Sequence, residues 1–491
     1  MKQKKLILGA LTVVVATVVG LVACKKGFND KGDRALSAGA LVDGCCGDPG
    51  SAGDSTISGV ITSDIYLRNC IEYHLSGIVY VANNAKIIIQ AGTRIEGDAG
   101  TAGTPGTPGG GLVITRGSQI IADGTPECPI VFTSYRWDGE PQSGDWAGII
   151  LLGKAPVNTG TPLIEGISGT PPADAHYGGD VCNDTSGILR YVRIEYAGYE
   201  LSTDNEINGL TFGGVGCGTV VEHVEVYKSK DDAFEFFGGT VNCKWLVAVD
   251  ALDDMFDTDL GYVGHIQFAL GLSDLDRADK SQSNGIESDN NNIPPPSFAS
   301  PYTRPEISNL TIVGPGCSLA NNTTMPPSGT GSYGRGAHLR RLTAFRIANS
   351  VFMGFKWGVS LDGANVLAKL QNDTSCFCNN VIEACQTVFK GEGGVSDGWN
   401  SYLTCPYKGY LVTTTNDSVK LSDPYNRVSP DFALPQSGSP ALHSNTGWSF
   451  SSSCFAGGCC SFSFTSTNYV GAFGTDNWAQ DITYGGWVRY Y

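Results

Sequence analysis

The chain has 491 residues, 65 of them Gly and 4 of them Met, with a formal net charge of −16 at pH 7. This composition favours short strands and tight turns over helical bundles. The charge repels nucleic acid and anionic headgroups and attracts divalent cations, which sets nucleic-acid binding aside. The 16 cysteines suit an exported chain that keeps disulfides, and the lack of any C-x-x-C pair argues against zinc, iron–sulfur and haem sites.

Lys2, Lys4 and Lys5 precede an apolar run over 6–22 that ends in Leu21-Val22-Ala23-Cys24. A small residue before a thiol at that place predicts a lipoprotein signal over 1–23, with Cys24 acylated as the anchor. The competing reading is an uncleaved membrane anchor, for which the run is near the lower length limit. Lys25, rather than Asp, after the thiol is compatible with export to the outer membrane. The expected address is therefore the cell outer membrane, lipid-anchored and surface-exposed. Reserving Cys24 for lipid leaves an odd number of cysteines, so one thiol stays free or pairs between molecules.

Residues 24–55 have no apolar periodicity and read as a flexible tether. The next stretch, 56–98, reads as an N-terminal cap with the first strands. From there Leu112-Val113-Ile114 and Ile149-Ile150-Leu151-Leu152 typify β-rich runs separated by glycine turns, with no convincing amphipathic helix. The Gly-Thr-Pro repeats within 99–111 are too short for a triple helix and read as a surface loop.

Asp231-Asp232-Ala233-Phe234-Glu235 recurs about 22 residues later as Asp253-Asp254-Met255-Phe256-Asp257, and Asn208-Gly209-Leu210-Thr211 shares a frame with Asn284-Gly285-Ile286-Glu287. Strand-sized units at this period signal a solenoid. The leucine framework of leucine-rich repeats is missing, so the expected fold is all-β, a right-handed parallel β-helix over 99–445 with loop insertions. A Cys- and aromatic-rich C-terminal cap is expected over 446–491. Asn309, Asn349 and Asn380 recur before strand-like runs, where stacked amides would satisfy turn backbone groups in successive coils.

Ile114-Thr115-Arg116-Gly117, Gly144-Asp145-Trp146-Ala147-Gly148, Asn208-Gly209-Leu210-Thr211-Phe212-Gly213-Gly214 and Asp253-Asp254 through Asp257-Thr258-Asp259 together resemble a family of Bacteroidota cell-surface proteins. The resemblance covers nearly all of the mature chain. It implies a right-handed β-helix at the cell surface and carries no established shared activity. Family members with a C-terminal sorting domain differ from this chain, which shows none.

Equivalent positions of adjacent coils lie about 4.8 Å apart, which stacks Asp231 on Asp253, Asp232 on Asp254 and Glu235 on Asp257. With Phe234 and Phe256 pointing inward, alternation turns Glu235 and Asp257 outward; Glu287 continues the column, with Asp259 and Asp289 nearby. Three readings compete for this acidic ladder. The acids cap backbone groups at solvated corners, bind Ca²⁺ through many oxygens without an EF-hand signature, or act as paired carboxylates in glycoside hydrolysis. For the last, Asp231, Asp232, Asp253 and Asp254 are the candidate catalytic acids, and Asp231-Asp232 is faintly similar to the double aspartate of β-helical polygalacturonases.

His223, His265 and His338 read as structural histidines. Lys228, Lys230 and Arg277 read as partners of the acids rather than uronate binders. Trp146, Tyr196, Tyr227, Trp245, Tyr262 and Trp357 read as core or edge packing before sugar platforms. The sequence thus points to a surface lipoprotein with an elongated, calcium-stabilised acidic β-helix that binds a polysaccharide or a cell-surface protein or serves surface architecture. The rivals are a polysaccharide lyase or glycoside hydrolase, and a self-associating filament subunit.

Overall fold

A computed structural model describes residues 52–491 except 101–108, 137–139, 168–170, 203–204, 292–297, 322–330, 413–417, 443–453 and 456–459. The 1–23 signal, Cys24, nearly all of the tether and most of the 99–111 loop lie outside the described residues. The described chain is a parallel β-helix: 24 strands join in one sheet system whose pairings are all parallel.

Three ladders run along the solenoid. The first takes Ile89, Ala122, Leu189, Val221 and Cys243 in register. The second takes Ile95, Phe132, Ile194, Val226 and Ala248. The third takes Leu112, Ile149, Leu210, Phe234, Phe256 and Ile286. Every one of these third-ladder side chains is buried, and rings stack from coil to coil, Phe212 on Phe236 at 4.8 Å and Phe234 on Phe256 at 5.4 Å. Alternation at period two thus fills the core with one set of side chains and delivers the other set outward.

The stretch expected to cap the start is already coiled, since Asp54–Ile61 pairs in parallel with Glu72–Val81. Two α-helices among the described residues escaped the sequence reading: the single turn Cys317–Ala320, and Ala364–Gln371, which buries Val366 and Leu370.

The corner between the first two ladders holds a column of residues at positive φ: Tyr191, His223, Trp245, Phe268, Asn309, Asn349 and Asn379. Its early members are stacked rings, with centroids 4.3 Å apart for Tyr191 on His223 and 4.5 Å for His223 on Trp245. Its late members are amides. Asn379 Nδ2 donates to Asn349 Oδ1 at 2.6 Å, and Asn349 Nδ2 donates to Ser308 Oγ at 3.1 Å. The third member of the amide column is therefore Asn379, not Asn380. Asn380 sits one residue on, where its Oδ1 accepts from Ser350 N–H at 2.9 Å.

The C-terminal segment, expected as an end cap, lies in its described part along the flank. Thr465 pairs with Gln267 in both directions, Gly471 N–H donates to Asn349 O at 2.7 Å, and the chain returns so that Trp487 meets Tyr191 and His223 edge-on, each at 5.7 Å. Cys217–Cys460 and Cys376–Cys454 bond this strap to the coils, while Cys317–Cys385 and Cys378–Cys405 tie coil segments to each other. Among the described cysteines, Cys70 and Cys243 are free; Cys243 is buried in the core.

Candidate metal centre

The outward positions of the third ladder form one register column: Thr211, Glu235, Asp257, Glu287, His338, Ser360 and Lys390. Inward partners Phe234 and Phe256 force Glu235 and Asp257 to this outer side. Two residues before each ladder strand, a second column takes Asn208, Asp232, Asp254 and Asn284. Each accepts, through a side-chain oxygen, the N–H of its counterpart one coil on: Asp232 N–H to Asn208 at 3.2 Å, Asp254 N–H to Asp232 at 2.8 Å, Asn284 N–H to Asp254 at 2.6 Å. Arg335 N–H closes the series on Asn284 Oδ1 at 3.0 Å. The backbone-capping role expected of the acids therefore belongs to Asp232 and Asp254.

These corners are not the solvated turns of the capping reading. Asp232, Glu235, Asp254 and Glu287 are buried, and Asp231, Asp253 and Asp257 are partly so. Three overlapping groups result, Asp231/Asp232/Asp253, Asp232/Glu235/Asp257 and Asp254/Asp257/Glu287, each with ligand oxygens within 4.8 Å of one another. Asp257 Oδ1 is buried with no hydrogen-bond partner, although its residue belongs to two of the groups. Asp259 and Asp289 stand outside them. Asp289 is held by Arg340 at 3.0 Å and Arg341 at 2.6 Å.

Burial first, and neighbouring carboxylates second, push Asp231, Asp232, Glu235, Asp254 and Asp257 well above the ordinary carboxylate range. The same causes take Asp253 and Asp259 to about 8. Downstream the balance reverses. Burial also raises Glu287, but the His338 hydrogen bond and the Arg340 guanidinium outweigh it and hold the group below its usual value. Glu392 is likewise taken to about 2 against burial by Arg335 and Ser360. One face thus runs from uncompensated carboxylates over Asp231–Asp257 to ion-paired ones around Glu287.

The groups have the donor set of a hard-cation site: several carboxylate oxygens from rigid strands, close enough to share one ion. Buried like charges at this spacing must protonate or bind a cation.

Several members come from loops rather than repeats. Burial, then repulsion from Glu206, lifts Glu165 to about 7, and Glu165 in turn helps to raise Glu235. Ser281 Oγ sits between two carboxylates, 2.8 Å from Asp253 Oδ2 and 2.6 Å from Asp279 Oδ1. His338, read as structural, joins the site: its Nδ1 lies 3.2 Å from Glu287. The other histidines stay structural, His223 between rings and His265 3.2 Å from Glu306. Lys228 and Arg277 do not reach the three groups. Arg277 pairs with Asp274 at 2.8 Å, and Lys228 Nζ lies 5.1 Å from the Tyr227 ring centroid. Trp146, Tyr196, Tyr227 and Tyr262 are buried, and Trp357 is partly exposed beside Arg335.

A family model described as a pectate-lyase like beta helix domain matches residues 59–410. No curated protein and no solved structure matches the chain.

Proposed function

The chain belongs to the pectate-lyase-like β-helix family, and from that premise we propose that it is a lipid-anchored cell-surface protein whose acidic face binds Ca²⁺ and presents an extracellular glycan- or partner-binding solenoid. The observation that carries the metal part is the run of three overlapping carboxylate groups on consecutive coils, with an unpartnered oxygen on Asp257. Ca²⁺ fits better than Mg²⁺, because it accepts many oxygens in flexible geometry whereas Mg²⁺ keeps its waters and demands an octahedron. The Leu21-Val22-Ala23-Cys24 segment supports the lipid anchor, and with it the surface address.

The test is calorimetric titration of the folded chain with CaCl₂ and, separately, MgCl₂. Ca²⁺ binding that weakens at least tenfold in Asp257→Asn supports the reading. Absence of Ca²⁺ binding, with a melting temperature that chelator leaves unchanged, sinks it. Mass spectrometry of the membrane-extracted protein tests acylation of Cys24.

The second reading, a polysaccharide lyase or glycoside hydrolase, is favoured by one observation. His338 and Arg340 place an imidazole and a guanidinium against Glu287 of the third carboxylate group. Of the four catalytic candidates, Asp232 and Asp254 are each engaged in a backbone cap. Release of reducing or unsaturated sugar ends from acidic polysaccharides, lost in His338→Gln with folding intact, would establish turnover.

A further inference from the structure

Another cavity, of about 620 Å³, lies where the C-terminal strap meets the corner after the second ladder. Its floor comes from Tyr196, Lys228 and Asp250, equivalent residues of successive coils that all adopt positive φ, at 61°, 55° and 56°. Its far wall comes from Tyr425 to Arg427 and from Tyr490 and Tyr491. Arg277 and Asp274 close a third side.

The polar groups of this cavity are fixed before any ligand arrives. Arg427 Nη1 holds Asp250 at 2.7 Å and its Nη2 donates to Ser273 O at 2.6 Å. Arg277 donates to Asp274 Oδ2 through Nε at 2.9 Å and to Ser143 Oγ through Nη2 at 3.1 Å. Three cationic side chains, Lys228, Arg277 and Arg427, face three acidic ones, Asp250, Asp274 and Asp276, so the lining side chains carry no surplus charge. Of the four tyrosines in the lining, Tyr196 and Tyr490 are buried while Tyr425 is half-buried and Tyr491 exposed, so the last two offer ring surface, and aliphatic surface is limited to Pro141 and Leu275.

We propose that this cleft is a binding site for a neutral saccharide. An apolar ligand would strand the charged lining, and a polyanion would gain no net attraction from it. A neutral sugar ring answers each feature. Its hydroxyls both donate and accept, matching alternating guanidinium and carboxylate groups, and its C–H faces pack on aromatic rings. The volume lies within the range of small-molecule sites, which reaches about 1,000 Å³. The site lies apart from the three carboxylate groups, so it stands whether or not the acidic face binds Ca²⁺.

The experiment uses the full mature chain in EDTA. An array of neutral oligosaccharides, with tetragalacturonate as the acidic comparison, identifies a ligand, and calorimetry quantifies it. The expected result is binding of a neutral oligosaccharide that weakens at least tenfold in both Tyr425→Ala and Tyr491→Ala, with melting temperatures near that of the parent. Failure of every neutral sugar, preference for tetragalacturonate, or binding that survives both substitutions would overturn the proposal. A Ca²⁺ titration on the same samples reads the acidic face separately, so either conclusion can fall without the other.

Discussion

Asp232 and Asp254 accept backbone N–H bonds from the next coil through a carboxylate oxygen, and Asn208 and Asn284 do the same through an amide oxygen. Asparagine is therefore the isostere the column already tolerates. Asp254→Asn keeps the bond to Asn284 N–H and removes one like charge from a buried group. In metal-free protein its unfolding free energy is expected within about 0.5 kcal/mol of the parent, or above it. Asp254→Ala leaves that buried N–H without its partner and is expected to cost about 1–3 kcal/mol. Urea unfolding of both variants in chelator decides the matter: if asparagine costs as much as alanine, the capping account of Asp254 is wrong. The same Asp254→Asn variant removes a charged ligand from the third carboxylate group, so its Ca²⁺ affinity is expected to drop at least tenfold by calorimetry.

The corner column shows what one backbone position can do along an element. All seven residues share a left-handed conformation that costs an ordinary L-residue roughly 1–2 kcal/mol. Rings occupy the column where Trp487 packs against it, and amides occupy it where strap groups need donors, as when Asn309 Nδ2 donates to Thr467 Oγ1 and Gly471 O, each at 3.1 Å. Asn349→Ala loses the amide bonds and takes a strained backbone, with an expected cost of about 2–4 kcal/mol. Asn349→Gly recovers the backbone part and should unfold at a higher urea midpoint than the alanine variant. Equal midpoints would mean that the left-handed conformation carries no measurable cost there.

Regular spacing made part of this legible in sequence. Phe234 and Phe256 mark the inward phase, and the capping acids beside them repeat after 22 residues, with the next coil following after 30. The acidic column was therefore readable through Glu287, residue by residue. Beyond it, insertions break the period: 51 residues separate Glu287 from His338 and 57 separate Arg335 from Glu392, so no repeat announces that they meet. Adjacent Asn379 and Asn380 offered two candidates for one corner, and a slip of one residue exchanges the amide ladder for the neighbouring cap. The strap has no periodicity at all. Its contacts span up to 294 residues, as between Arg489 and Glu195, and local pattern carries no information about them.

At the scale of the molecule, the buried acids tie stability to pH in a direction opposite to ordinary acid denaturation. Asp253 and Asp259 hold their protons to about pH 8, and Asp231, Asp232, Glu235, Asp254 and Asp257 are raised well above their usual values, by burial and then by one another. The unfolded chain releases the same protons near pH 4. Between those limits the folded state binds more protons than the unfolded state, so stability falls as pH rises. Glu287 and Glu392 act with the opposite sign, but their contribution is lost only on acidification through and below about pH 4. In EDTA the melting temperature is therefore expected to decline from pH 5 to pH 8. Ca²⁺ takes the place of the protons, so the decline should vanish at saturating metal, and the stabilisation should be larger at pH 8 than at pH 5. At a free Ca²⁺ concentration 100 times Kd it amounts to about 2.7 kcal/mol. Thermal melts across this range, with and without Ca²⁺, test the linkage directly. A flat or rising profile in EDTA would mean that the carboxylates ionise freely in the folded chain, and the electrostatic case for a metal on this face would lose its basis.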